Sequence, residues 1–337
     1  MNETIQTTLD ALRFGEPQAH GPLAVLPLLG GGPGGPEYRT LAEALKRGTL
    51  TITEVSEGGH VPELRVDNRD ALPVLLLDGE ELRGAKQNRV LNTTVLAPAK
   101  SVLTVPVSCT EQGRWSYRGR NFEDSRVVMA RGARAAKLES VNASLAQDRS
   151  FHSNQGRVWA EVDRLCVDAA VHAPTRAMRD VFEGLEGRLA ELLAHFRCLE
   201  GQGGLLAFQH GEAVGLDLLS RPAAFAGLFD KLLKSYAMDA LLAQGDGRRK
   251  ASERKGRAFL AGLSKCREEA YPSVGLGTSL RFTGARTAGS ALVHEGAVVH
   301  LSLLANAERR PRRERGIEIV DDGALTLTGD LRRPRRR

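Results

Sequence analysis

Hydrophobic and polar residues follow two different rhythms along this chain. From Leu50 to Cys109 the period is two. Leu50 and Ile52 alternate with threonines, and Leu64 and Val66 with Glu63, Arg65 and Asp67. Leu103, Val105, Val107 and Cys109 alternate with Thr104, Pro106 and Ser108. Apolar runs at Val74 to Leu77 and Val90 to Ala97 lie between them, Asn68-Arg69-Asp70 marks a turn, and Pro98 closes a strand. Short strands at this spacing predict a sandwich or an open barrel. A further strand is expected over Pro22 to Leu29. The Gly-rich loop to Pro36 follows, and then a short helix over 37–47 with Tyr38, Leu41, Ala42 and Leu45 on one face.

After Arg118 the period lengthens. Helices are expected over 126–145, whose face is not clean, and near 155–168. The strongest apolar stripe, Met178, Val181, Phe182, Leu185, Leu189, Leu192, Leu193 and Phe196, predicts a helix over 175–197. Another is expected over 222–243, with Pro222 at its tolerant first turn, and a last one over 252–266. Two segments, 205–217 and 290–302, resemble each other and read as strand, Gly turn, strand. They are expected to share one sheet with helices packed over it. The fold class is α+β: an N-terminal β-rich sandwich or open barrel over 22–118, a connection over 119–125, and an α+β layer of antiparallel strands and amphipathic helices over 126–305. Residues 1–21 read as weakly ordered and 306–337 as a basic, disordered tail.

Composition changes this picture in three places. With 42% hydrophobic and 26% charged residues the chain suits a soluble protein. No apolar run reaches the length of a membrane span, so no membrane partner is expected. The start of the chain lacks a signal-peptide pattern, which points to the cytoplasm. The charge of +6 is concentrated: Arg309 to Arg337 holds ten Arg against five acidic residues. Such a tail can bind nucleic acid through counterion release, but it carries no interleaved aromatic residue and reads first as a solvated terminus. The four cysteines are far apart, so neither a disulfide framework nor a zinc knuckle is indicated. His210, His294 and His300 form no ligand spacing, and no metal is expected.

The chemistry concentrates where the strand Pro73 to Leu77 runs into Asp78-Gly79-Glu80-Glu81-Leu82-Arg83-Gly84-Ala85-Lys86-Gln87-Asn88-Arg89. Three carboxylates, two carboxamides and three cations after a core strand either pair across a hairpin or surround a ligand. Glu80 and Glu81 are candidate general bases, although adjacent residues of an extended strand face opposite sides. Lys86, Gln87, Asn88, Arg89 and Asn92 suit a ligand with hydroxyls and an anionic group, Arg89 being the better clamp. Glu111 and Trp115, in the loop after the strand ending at Cys109, are further binding candidates. Cys109 itself continues the inner-face alternation as a small hydrophobe.

Three separated motifs carry a resemblance. Pro73 to Leu82, Gly84 to Asn92 and Val105 to Trp115, joined by the helical segment Lys231 to Ala240, resemble the ARG-and-Rhodanese-Phosphatase-superfamily-associated protein domain family over roughly residues 22–305. The resemblance implies a domain of unassigned activity in prokaryotic conflict systems, beside partners that handle nucleotide-derived or phosphorylated groups. It brings no catalytic residues and no cofactor. The expectation is a pocket built from residues 78–92 and 109–115 for a phosphorylated or nucleotide-derived molecule. Should it act as a hydrolase, Glu80 or Glu81 would be the base and Arg89 would hold the anion. The alternative is a non-catalytic scaffold or sensor that binds a protein partner through the same segment.

Overall fold

The computed structural model describes residues 1–31, 34–56, 62–243 and 250–306, together with the backbone of two short paired strands, Ile317–Ile319 and Leu325–Leu327. Apart from Asn306 and those strands, the Arg-rich tail lies outside the described residues. Residues 1–306 form one unit of α+β architecture.

Its backbone is a nine-stranded antiparallel sheet. In order across it run Leu12–Phe14, Leu23–Gly30, Gln202–Gln209, Glu212–Leu219, Ala297–Ala305, Thr287–His294, Thr278–Thr283 and Arg267–Pro272, with Gln18–His20 beside Leu23–Gly30. The two look-alike segments are hairpins in this sheet. They meet through Glu212–Leu219 and Ala297–Ala305, where Asp217 lies opposite Ser302 and Leu219 opposite His300. One face packs on the helices Arg131–Asp148 and Pro222–Leu242, the other on Glu3–Asp10 and Glu253–Ala261.

The strands of the first rhythm form a half-barrel. Its six-stranded sheet runs Phe122–Val128, Glu80–Gly84, Arg89–Leu91, Ser101–Cys109, Glu63–Asn68 and Leu50–Glu54. A small three-stranded sheet of Val95–Ala97, Val74–Leu76 and Arg39–Thr40 completes this region. Leu50, Ile52, Leu64, Val66, Leu82, Leu91, Val105 and Val107 fill its interior, as the period-two pattern requires.

Four elements differ from the sequence expectation. Residues 122–128, expected as a connection and the start of a helix, form the edge strand Phe122–Val128 of the half-barrel sheet, and the helix begins at Arg131. The first residues are not weakly ordered. Asn2 Oδ1 accepts from the N–H groups of Thr4 and Ile5, capping the helix Glu3–Asp10, and Ile5 is buried in the core. The strand Leu23–Gly30, assigned to the β-rich half, pairs instead with Gln202–Gln209 in the large sheet. The helix expected over 175–197 is broken at Leu185 into Met178–Gly184 and Glu186–Leu193. Gly184 packs where a Cβ would come within 2.7 Å of Val171.

Helix Arg131–Asp148 ties the two sheets together with charge. Arg134 and Lys137, one turn apart on the same side, are both buried. Arg134 reaches the large sheet. Nη1 donates to Asp217 Oδ2 at 2.9 Å, and Nη2 to Asp217 Oδ1 at 2.5 Å and Ser302 Oγ at 3.0 Å. Lys137 reaches the half-barrel region, where Nζ donates to Asp78 and to the carbonyls of Leu91 and Asn92. Gly79, at φ +83°, sits under Arg134, and a Cβ there would lie 3.1 Å from its Cδ. Asp217 also accepts from the Tyr236 hydroxyl at 2.7 Å and from His300 Nε2 at 3.2 Å. Burial pushes the Asp217 carboxyl up, but the Arg134 charge and His300 outweigh it and hold it well below the usual carboxylate range.

A carboxylate held low stabilises the fold above the pKa it has when unfolded, and that contribution is lost as pH falls through the acid range. Asp217→Asn keeps the shape and strands the Arg134 charge. It is expected to cost about 3–5 kcal/mol in urea unfolding at neutral pH, the usual penalty for breaking a buried pair. A loss below about 1 kcal/mol would show that this network is not what joins the two sheets.

Candidate functional site

The register of the half-barrel sorts the candidate residues onto two faces. Leu82, Arg89 and Cys109 lie directly opposite one another across three strands, while Glu81, Val90 and Ser108 form the next row. Side chains alternate along a strand and opposite pairs share a face. Arg89 and Cys109 therefore point into the half-barrel with Leu82, Leu91 and Val107. Glu81 points the other way, with Val90, towards the helices.

On the inner face, the apolar filling ends in a polar layer. Glu54 continues the inward alternation of Leu50 and Ile52. Its Oε1 lies 3.6 Å from Nη2 of the fully buried Arg89. Arg89 Nη1 donates to Gln87 Oε1 and to Cys109 Sγ, each at 2.9 Å. Among the described residues, both oxygens of Glu54, and Nε and Nη2 of Arg89, lack a hydrogen-bond partner. Burial pushes the Cys109 thiol up to about 11, against the pull of Arg89. Such a thiol is held mainly in its protonated form at neutral pH.

Above this layer stands an exposed loop, residues 112–121. The Trp115 ring is 49% exposed and its centroid is 5.8 Å from the Arg89 guanidinium. Lys86 Nζ lies 5.2 Å from the ring centroids of both Trp115 and Tyr117. The loop is held by Arg114. Its guanidinium forks onto Glu111 at 2.9 and 2.7 Å and donates to the carbonyls of Ala85 and Ser116. Glu111 also accepts from the Asn88 N–H and the Thr175 hydroxyl. Burial raises Glu111, but Arg114 and these donors outweigh it and hold its carboxyl low. Glu111 and Asn88 thus brace the loop from inside.

The remaining candidates lie elsewhere. Asn92 donates to the Phe151 carbonyl and accepts from Ser108. Glu80 accepts from Lys231, which also binds Asp124, and from the Leu77 N–H. Glu81 accepts from Thr110 Oγ1 at 2.7 Å, while its Oε2 has no partner. Neither glutamate pairs with Arg83, Lys86 or Arg89. Two surface cavities, of about 270 and about 120 Å³, are lined by other segments, around Thr4, Thr8 and Ser220 and around Tyr38 and Arg221.

One further constellation has the order of a nucleophilic triad. Thr94 Oγ1 lies 2.8 Å from His300 Nδ1, whose Nε2 faces Asp217. Thr94 Oγ1 also accepts from the Asp78 N–H, and His300 Nε2 faces the Asp217 carboxylate at 3.2 Å. Thr94 is 5% exposed. The relay is a closed part of the network between the sheets. Among the described residues, no three His, Cys, Asp or Glu side chains converge as metal ligands.

The sequence reading missed Glu54 and Tyr117. A carboxylate on the inward parity of Leu50 and Ile52 was the available signal for the first. The second stands two residues from Trp115, on the same side if the loop is extended.

The fold and its internal charge layers define an α+β domain built of a half-barrel sheet and a large antiparallel sheet. Residues 11–304 match the ARG and Rhodanese-Phosphatase-superfamily-associated Protein domain, and the chain belongs to that family. No curated protein and no solved structure matches it. No helix among the described residues is long and apolar enough to cross a membrane.

Burial raises the Glu81 carboxyl from 4.5 to about 7, against the hydroxyls that face it. A carboxyl raised on folding binds more protons folded than unfolded between those two values. Its cost is therefore absent below about pH 4.5, grows as pH rises, and is complete above about pH 7. Glu81→Gln removes the charge, so the variant should exceed the parent in stability at pH 8 by up to about 3 kcal/mol and match it near pH 4.5. Chemical unfolding at the two pH values checks this, and a difference that does not vary with pH rules out the raised carboxyl.

Proposed function

We propose that this chain is a ligand-binding domain whose site is the mouth of the half-barrel, and that its ligand is a phosphorylated or nucleotide-derived molecule. One observation carries this reading. Arg89 is fully buried, keeps Nε and Nη2 without hydrogen-bond partners among the described residues, and lies beneath a half-exposed Trp ring. Buried donors in a folded protein are nearly always paired, so an unpaired guanidinium under an open aromatic ring needs a reason. A planar ligand stacked on Trp115, with an anionic group turned towards Arg89 and Lys86 and hydroxyls towards Gln87 and Glu54, supplies one.

The geometry favours binding over hydrolysis. Glu81, with its raised carboxyl, has the better pKa for a general base, but it faces away from Arg89 across the sheet. Glu80 is held by Lys231. A hydrolytic reaction at the mouth would fall to Glu54 instead. In the conflict or stress setting implied by the family resemblance, such a domain would sense or sequester the product of a neighbouring enzyme.

Melting of the intact protein against ADP-ribose, mononucleotides, dinucleotides and sugar phosphates tests the reading. A ligand at about 100 times its Kd adds about 2.7 kcal/mol. Trp115→Ala touches an exposed ring, so it should leave the ligand-free melt in place and abolish the ligand-induced shift. A shift that survives in this variant moves the site elsewhere, and no shift across the panel favours a protein partner at the same loop.

A further inference from the structure

The row of the large sheet that carries Asp217 and Ser302 continues through Ser290 to Arg281. Arg281 is 1% exposed and reaches Thr93, in the bend before the strand Val95–Ala97. Its guanidinium meets neutral groups. Nε donates to Ser279 Oγ at 3.2 Å, Nη2 donates to Thr93 Oγ1, and the Phe151 ring centroid lies 5.2 Å away. Among the described residues, Nη1 has no hydrogen-bond partner. The carboxylates around it are engaged elsewhere. Glu269, directly opposite in the edge strand, pairs with Arg267 at 2.8 Å. Asp78, which also acts on Arg281, is held by Lys137 and lies 3.8 Å from Arg134.

The charges between the two sheets therefore do not balance. Arg134, Lys137 and Arg281 are three buried cations, against the two buried carboxylates Asp78 and Asp217. Lys137 is an ammonium, because Nζ donates to three acceptors, Asp78 and the carbonyls of Leu91 and Asn92. Burial pushes the Arg281 guanidinium down to about 10, against the pull of Asp78 and Tyr271, so it stays charged at neutral pH. A buried water could satisfy the Nη1–H but would leave the excess charge, and an unbalanced charge in the interior is costly. Hydrogen-bond donors are in excess as well. The hydroxyls of Ser279 and Thr93 accept from Arg281, so each keeps its own hydrogen to donate, and Ser290 adds a third buried hydroxyl directly opposite Arg281. We propose that the corner formed by Arg281, Ser279, Thr93 and Ser290 binds one monovalent inorganic anion of about the size of chloride, seated against Arg281 Nη1 beneath Phe151. Its single negative charge neutralises the layer between the sheets. The site lies apart from the half-barrel mouth and does not depend on how the mouth is read.

The test unfolds the full chain over a wide range of sodium chloride, with gluconate, an anion too large for a buried corner, holding the ionic strength constant. Above the Kd, each tenfold rise in chloride should add about 1.4 kcal/mol of stability. Arg281→Gln removes the excess charge and should abolish the dependence, whereas Arg281→Lys keeps the charge and should retain it. Trp115→Ala should leave it unchanged. Crystals of the unaltered protein grown in bromide supply a measurement that needs no variant: an anomalous peak is expected within hydrogen-bond reach of Arg281. No peak at Arg281 overturns the proposal and leaves Nη1 to a water. Chloride dependence that survives Arg281→Gln overturns it too, and moves the anion to another cation. Dependence that disappears in Trp115→Ala overturns it in favour of the half-barrel mouth. Should Arg281→Gln fail to fold, the bromide position alone decides.

Discussion

The architecture depends on two cations of one helix. Arg134 faces the large sheet and Lys137 the half-barrel region, and both lie out of water. Each is costly alone. Removing a charge from water costs several kcal/mol, and only close, geometrically good partners return it. Those partners come from far along the chain: Asp78 on one side, Asp217 and Ser302 on the other. The helix can therefore sit in one position only, with the half-barrel and the large sheet both docked against it. Apolar packing alone would hold these layers less specifically, since burial is non-directional. The fork of Arg134 onto Asp217, with Tyr236 and His300 filling the remaining lone pairs, sets distance and angle as well.

The same arrangement explains which parts of the structure were legible in the sequence. The period-two strands of the half-barrel, the paired hairpins of the large sheet and the apolar helix Pro222–Leu242 follow the hydrophobic pattern, because their buried faces are apolar. The helix Arg131–Asp148 showed no clean stripe. Its buried residues include Gly132, Arg134, Lys137, Ser140 and Asn142 beside Leu138, Val141 and Leu145, so small, polar and charged residues interrupt the apolar stripe. Residues 1–21 misled for a related reason. Their order rests on one Asn cap, the buried residues Ile5, Thr8 and Leu12, and strands whose partner, Leu23–Gly30, is itself placed by residues 202–209. Long-range pairing of this kind leaves little local signal.

The segment from Asp78 to Asn92 was legible as unusual, but not as what it is. Its charges do not gather round one pocket. The pleat divides them: Arg89 and Gln87 serve the interior of the half-barrel, and Glu81 the helical side. The turn gives Asp78 to Lys137, and Glu80 goes to Lys231. Adjacent residues of a strand cannot serve one site together, so a dense run of polar residues in sequence becomes several sparse sites in space. Parity along the strand separates Glu81 from Arg89, and parity brings in Glu54, thirty-five positions earlier, through the alternation of Leu50 and Ile52.

What then separates a polar group that holds the fold from one that does chemistry is the state of its hydrogen bonds, since burial is common to both. Asp217 is surrounded: two bonds from Arg134, one from Tyr236 and one from His300 account for its lone pairs. Glu111 is likewise filled by Arg114, Asn88 and Thr175. Such groups have no capacity left for a ligand, and a substrate could engage them only by dismantling the fold. Glu54 and Arg89 are buried too, yet four of their polar atoms have no hydrogen-bond partner among the described residues, and their ion contact is 3.6 Å. Of the other internal carboxylates, Asp78 and Glu81 each keep one oxygen without a partner among the described residues, whereas Glu54 keeps both. Arg89 of this pair lies 5.8 Å from the centroid of the half-exposed Trp115 ring, so the loose pair and the exposed ring are neighbours.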